Sequence, residues 1–233
     1  MFDRQGLSLV DVRLWRHAEC RQGMKDMLGV LPGVMAWGLV TGVAMVKAGM
    51  PPPIALLMAL TVFAASAQLA SVPLMLSGAP IWVVWVTAWC VNLRFVIFSA
   101  HMRRHMMALP LRWRLVAGYL TADITYVFMQ QRHGQSAPAD AQNIGPLAYF
   151  VGLCSVNWLA WNVSATVGVL FAEAIPTHWG MGFAGTLALV GLLVTLVRDR
   201  FTGISAALAA TAAVAAFGLP FKLHIIVAVA AAV

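Results

Sequence analysis

The amino-acid sequence predicts an all-α polytopic membrane protein, and three observations carry that reading. Of 233 residues, 61% are hydrophobic and 10% are charged, with mean hydropathy +0.84, whereas soluble domains carry about 25% charged residues. Apolar runs close to the roughly 20 residues needed to cross a hydrocarbon core recur from Leu28 onward. The basic residues behind the net charge of +7 sit mainly at the ends of those runs. There they suit phospholipid headgroups and topology control, not nucleic acid.

Residues 1–26 hold Arg4, Arg13, Arg16, Arg21 and Lys25 without a continuous apolar core, so they do not read as a cleaved signal peptide. Leu7, Val10 and Leu14 fall at i, i+3 and i+7, which fits a short interfacial helix as well as it fits a disordered basic arm. Residues 27–233 read as a single transmembrane domain with no room for a soluble one. The expected segments are Leu28–Val46, Ile54–Leu76, Ile81–Ala100, Leu115–Gln130, Pro146–Phe171, Met181–Val197, Ile204–Phe217 and Phe221–Val233. That makes about seven to eight hydrophobic segments, some short, broken or re-entrant. Gly218-Leu219-Pro220 separates the last two, which are too short to span alone. The Ala-Ala-Ala-Val end is expected to stop a few residues short of the natural terminus.

Between segments, Lys47 and Pro51-Pro52-Pro53 form a turn, 131–145 is the longest polar loop, and Arg198-Asp199-Arg200 closes the sixth segment. The arm is basic, and so is the linker with Arg103, Arg104, Arg112 and Arg114. Basic loops favour the cytoplasmic side, yet three full crossings would place these two on opposite sides. One early segment is therefore expected to be broken. Ile54–Leu76 is the suspect, with Ser66, Gln68, Ser71 and Pro73 in its middle and second half. Irregular backbone at membrane depth survives only against protein or a water-filled cavity.

Arg94 and Asp123 lie inside apolar runs, where a charge costs roughly 2.5–3.5 kcal/mol or more. They read either as parts of a substrate pathway or as a structural ion pair. Asn92 and Arg94 stand about 200° apart on an ideal helix, so they serve different neighbours or the helix is broken there. Tyr119, Asp123, Tyr126 and Gln130 would share one stripe of a continuous helix, lining a cavity with Asp123 as proton carrier or amine ligand. Gln68 and Ser71 share a face, as do Asn157, Trp161 and Ser164. Amides both donate and accept, which suits a zwitterion, and they also join membrane helices. Gln68 and Asn157 are read as substrate contacts, Asn162 and Ser164 as helix–helix contacts.

Trp82 is expected at a membrane interface, with Trp85 and Trp89 as packing residues. His101 and His105, at i and i+4, lack a nearby third ligand and read as interfacial side chains, not a metal site. Cys20, Cys90 and Cys154 show no ligand or redox spacing and read as packing residues. No cofactor is expected. HExxH, GxSxG and usefully spaced paired carboxylates are all missing from the sequence, which argues against an enzyme.

Gly23-Met24-Lys25-Asp26, Leu31-Pro32-Gly33 with Gly38, Ala64–Leu69, Asn92-Leu93-Arg94, Leu120-Thr121-Ala122-Asp123 and Trp158–Gly168 resemble, in order and spacing, the AzlC family of branched-chain amino-acid permeases. The resemblance covers about residues 23–230. It implies a secondary transporter of the bacterial inner membrane that exports leucine, isoleucine, valine and methionine on the proton motive force. It also implies a small hydrophobic AzlD-type partner subunit. Gln68, Asn92, Arg94, Asn157 and Trp161 would bind substrate, Asp123 would carry the proton or hold the amine, and Ser66, Ser71, Tyr119 and Tyr126 would line the cavity. Departures from the family pattern are Ala65 for its Gly, Ala122 for the first of its paired acids, Gly182 for the acid of its sixth segment, and Phe95 for a common histidine. The contrasting reading is a non-transporting scaffold or assembly subunit with a structural Arg94–Asp123 pair.

Overall fold

The structure, a computed structural model, describes residues 7–137, 139, 143–174 and 200–215. Its regular structure is helical, with no strand among the described residues. In chain order the helices are α1 (Val12–Arg16), α2 (Ala18–Lys47), α3 (Pro52–Thr61), α4 (Ala65–Leu76) and α5 (Ile81–Asn92). They continue with α6 (Arg94–Met106), α7 (Leu111–Leu120), α8 (Asp123–His133), α9 (Gly145–Leu170) and α10 (Arg200–Ala215). Met181–Val197 and Phe221–Val233 lie outside the described residues, as does Gly182.

Among the described residues α2 and α9 are each long and apolar enough to cross a membrane, and α5 and α6 pass the same test only as a pair. The protein is a helical membrane protein. At 1.5 Å per residue the 30 residues of α2 exceed the hydrocarbon thickness. The basic arm is thus continuous with α2 from Ala18 onward.

Local chemistry explains the turns. After α2, Gly49 (φ 88°) lets its own N–H reach Val46 O (2.8 Å) and Met50 N–H reach Met45 O (3.1 Å). This paired closure needs a left-handed residue, and glycine takes that conformation without a Cβ penalty. Gly78 (φ 67°) repeats it after α4, with bonds to Met75 O and from Ala79 to Leu74 O. Between these turns, Pro52 opens α3, where a missing N–H costs nothing.

Three of the expected segments are each split in two, Ile54–Leu76 among them as suspected. Ile54–Leu76 breaks at Val62–Ala64, Ile81–Ala100 at Leu93, and Leu115–Gln130 at Thr121–Ala122. At the third break Thr121 Oγ1 donates to Ala117 O (2.8 Å) and its N–H to Gly118 O (3.3 Å). A threonine hydroxyl on the preceding turn competes with the helical ladder, and Ala122 then runs extended (φ −119°, ψ 166°).

The chain forms two compact units, Met1–Gly38 with Arg94–Ser164, and Leu39–Leu93 with Ala165–Val233. In the first, Leu14, Cys20, Met27, Met129, Leu147, Phe150, Leu153 and Cys154 are buried together. There α2 meets α9 backbone to backbone: a Cβ on Gly152 would collide with Cys20 O, and one on Gly23 with Tyr149 O. Small residues permit that approach in membranes, where apolar burial gives little drive between helices. In the second unit Met45, Ala55, Ala59, Val72, Ala165 and Val169 form one cluster, and Leu74, Val83 and Val84 join α4 to α5.

Candidate functional site

In the first unit, Arg94 is the first residue of α6 and Asp123 the first of α8. Both breaks therefore place a charge at a helix start, inside an apolar run. Arg94 Nη2 and Asp123 Oδ2 are 3.1 Å apart, with the side chains 20% and 27% exposed. A carboxylate at a helix N-terminus is favoured by the helix dipole, whereas a guanidinium there is not. Asp123 thus sits where its charge is supported, and it supplies what Arg94 lacks from its own helix. The α8 start is tied by Thr125 Oγ1, which accepts from Ala122 N–H and donates to Ala122 O, both at 2.8 Å.

Asp123 Oδ1 is buried and takes no hydrogen bond among the described residues. A buried carboxylate oxygen with unused acceptor capacity costs free energy. It can receive an ammonium, a proton or a water.

The expected stripe on one continuous helix is corrected by the break at Thr121–Ala122. Tyr119 belongs to α7, while Asp123, Tyr126 and Gln130 belong to α8. Tyr119 accepts a hydrogen bond from Trp158 Nε1 (3.1 Å) on α9. Tyr126 stacks on Phe98 (centroids 4.1 Å apart), and its hydroxyl lies 2.5 Å from His101 Nδ1. Asn157 and Trp161 are buried on α9. Asn162 Nδ2 donates to Trp158 O (2.9 Å) and Ser164 Oγ to Trp161 O (3.1 Å). These two side chains, expected to join helices, bond to the turn before them on their own helix.

The second unit holds Ser66, Gln68, Ser71 and Asn92. Gln68 is fully buried and its Nε2 donates to Met58 O (3.0 Å), tying α4 to α3 across the Val62–Ala64 break. Its Oε1 and the Oδ1 of Asn92 are buried without a hydrogen bond among the described residues. Ser66 and Ser71 are buried on α4. Asn92 ends α5, and Leu93 N–H closes back on Cys90 O (3.2 Å), so the break separates Asn92 from Arg94. Trp85 and Trp89, expected to pack inside, are 70% and 69% exposed, because Val83, Val84 and Thr87 take the buried face of α5.

A second polar network in the first unit escaped sequence reasoning. Glu19 receives Arg132 Nε (2.7 Å) and Nη2 (2.8 Å), and lies 3.1 Å from His133 Nε2. Asp26 receives Gln22 Nε2 (2.7 Å) and Tyr149 Oη (2.6 Å), and Arg132 lies over the Tyr149 ring. Three helices, α2, α8 and α9, meet in it. Its contacts span more than 100 residues of sequence, so no local pattern announces it.

The model of the family described as AzlC protein matches residues 29–175, well over half of the chain. No curated protein and no solved structure matches. The match contains both charged helix starts and all three helix breaks, and it points to a transport-related membrane role. The chain belongs to the AzlC family.

Proposed function

We propose that the protein is a secondary transporter exporting leucine, isoleucine and valine, with methionine as a further substrate, across the bacterial inner membrane. The carrying observation is the Arg94–Asp123 pair at two helix starts, with Asp123 Oδ1 buried and without a hydrogen bond among the described residues. A zwitterionic amino acid needs a cation for its carboxylate and an acceptor for its ammonium. Arg94 and Asp123 offer both once they release each other, and an apolar wall suits a branched side chain. A buried pair is close to break-even against apolar packing, so exchange of partners costs little compared with breaking one ion alone.

In this reading Asn157 and Trp161 contact substrate, Tyr119 and Tyr126 line the path, and Asp123 carries the proton or holds the amine. Gln68 and Asn92, whose amide oxygens are buried without a hydrogen bond among the described residues, are read as further substrate contacts, and Ser66 and Ser71 on α4 as cavity-lining residues. Broken helices whose freed ends meet ions and substrate are a recurrent transporter device. The proposal takes seven to eight membrane segments in one transport domain and a small AzlD-type partner subunit.

The test is counterflow in proteoliposomes loaded with unlabelled leucine, with and without the candidate small subunit. Uptake of labelled leucine that excess valine blocks and glutamate does not is the expected result. No exchange of any neutral amino acid by folded protein with its partner present would overturn the reading. It would leave the scaffold, to which a closed Arg94–Asp123 pair also conforms.

A further inference from the structure

Ten residues beyond Arg94, at the other end of α6, residues of α6 and α8 line an open cavity of about 590 Å³. Ala100, His101, Arg104, Tyr126, Gln130 and Gly134 line it. Its polar groups are a guanidinium, an imidazole bonded to a phenol, and an amide. Among the described residues no carboxylate lines it and none pairs with Arg104. Among the described residues the Arg104 side chain makes one long hydrogen bond, Nη2 to His133 O at 3.5 Å.

That donor set discriminates between ligands. A zwitterion would bring its ammonium close to Arg104 with no carboxylate to meet it, and like charges a few ångströms apart repel. A net anion meets no such conflict. A phosphate oxygen accepts from the planar fork of Arg104, from the Gln130 amide and from a ring N–H of His101. The Tyr126 ring, backed by Phe98 stacked on it, offers an apolar flank. The cavity also sits where the apolar run 81–100 gives way to Arg103 and Arg104, the depth at which headgroups meet protein.

We infer that this cavity binds the phosphate of an anionic phospholipid headgroup, held by Arg104 and Gln130 with His101 and Tyr126 beside it. The site shares Tyr126 with the proposed path, but Arg104 and Gln130 have no part in that path, and the inference does not depend on the transport reading. Tyr126 lies one helical turn from Asp123, so an occupied cavity would also steady the start of α8.

The test uses the purified full chain in detergent, titrated with dioctanoyl phosphatidylglycerol, dioctanoyl phosphatidylcholine or inorganic phosphate, with bound ligand counted by native mass spectrometry. Phosphatidylglycerol is expected to bind at least about tenfold more tightly than phosphatidylcholine, and Arg104→Gln to lose about that factor. Arg103→Gln removes the same charge from the same helix but not from the cavity lining, and is expected to change binding less than about twofold. His101→Gln, expected to weaken binding about threefold, gives a second reading if Arg104→Gln does not fold. Equal losses in the two arginine variants would mean diffuse surface charge and would overturn the site. Equal binding of the two lipids would do the same. Inorganic phosphate binding as tightly as phosphatidylglycerol, and through Arg104, would replace the lipid with a free anion and overturn the headgroup assignment.

Discussion

Tyr149 and Asp26 are joined by a hydrogen bond of 2.6 Å from the Tyr149 hydroxyl to Oδ2, linking α9 to α2 from a tyrosine ring that is almost fully buried. Gln22 occupies the other carboxylate oxygen at 2.7 Å. Both oxygens are thus used, and the ring of Tyr149 also lies 5.3 Å from the Arg132 guanidinium. The contact organises the end of the first unit where the basic arm enters α2.

Tyr149→Phe removes the hydroxyl alone and leaves the ring packed. Hydrogen bonds to charged groups contribute about 1.5–3 kcal/mol, so the variant should lose stability within that range. A thermal melt in detergent measures it, and the double variant with Asp26→Asn should cost less than the sum of the two singles. Additive effects would mean that the two residues are not coupled.

The close crossing of α2 and α9 makes a contrast between two glycines. A Cβ on Gly152 meets the Cys20 carbonyl, whereas a Cβ on Gly33 meets nothing within 4 Å. Gly152→Ala should therefore destabilise by about 1–3 kcal/mol through overpacking of backbone on backbone. Gly33→Ala should be neutral or stabilising by up to about 1 kcal/mol, the usual helix preference for alanine. The two melts run side by side read the difference directly.

At the start of α1, Asp11 caps the helix by accepting from Arg13 N–H (2.9 Å) and from the Arg13 guanidinium (2.9 Å). The side-chain bonds first, then the backbone bond, hold its carboxyl below the usual value of 3.8. The folded value lies below the unfolded one, so the cap contributes fully above about 3.8 and is lost as pH falls through the folded value. Hydrogen exchange over Val12–Arg16, corrected for intrinsic rates, should show protection at about pH 6 that fades near pH 3. Asp11→Asn should make the protection independent of pH across that window.

Several features were legible in the sequence for physical reasons. The apolar part of α2 and all of α9 follow from their hydrophobic runs, whereas the start of α2 at Ala18, inside the charged arm, does not. The break suspected inside 54–76 is present, at Val62–Ala64, just before Ser66, Gln68, Ser71 and Pro73. Arg94 and Asp123 were conspicuous because opposite charges in apolar runs need each other or a ligand. The break at Thr121–Ala122 was hidden, since neither glycine nor proline marks it and one threonine hydroxyl ends the helix. Trp85 and Trp89 misled because a stripe of large apolar residues looks the same whether it faces core or lipid. The Glu19–Arg132 and Asp26–Tyr149 contacts join distant parts of the chain, and only the packing of α2, α8 and α9 brings them together.

The Arg94–Asp123 pair separates the transporter from the scaffold by a charge exchange. Arg94→Ala leaves the Asp123 carboxylate without its cation in a largely apolar setting, and breaking a buried pair costs about 3–5 kcal/mol. Both readings therefore predict some loss of stability from the single variant. The double variant Arg94→Asp with Asp123→Arg restores opposite charges at the same two positions. If the pair is only structural, the exchange should recover stability and leave nothing else to lose. If Arg94 receives a carboxylate and Asp123 an ammonium or a proton, the exchanged protein should regain its melting temperature yet fail in leucine counterflow by at least about tenfold. Asp123→Asn adds the third arm: it keeps the shape of the side chain, and it should preserve exchange while abolishing the response to a pH gradient. Full counterflow in the exchanged protein would remove Arg94 and Asp123 from the transport pathway and leave them as a structural pair.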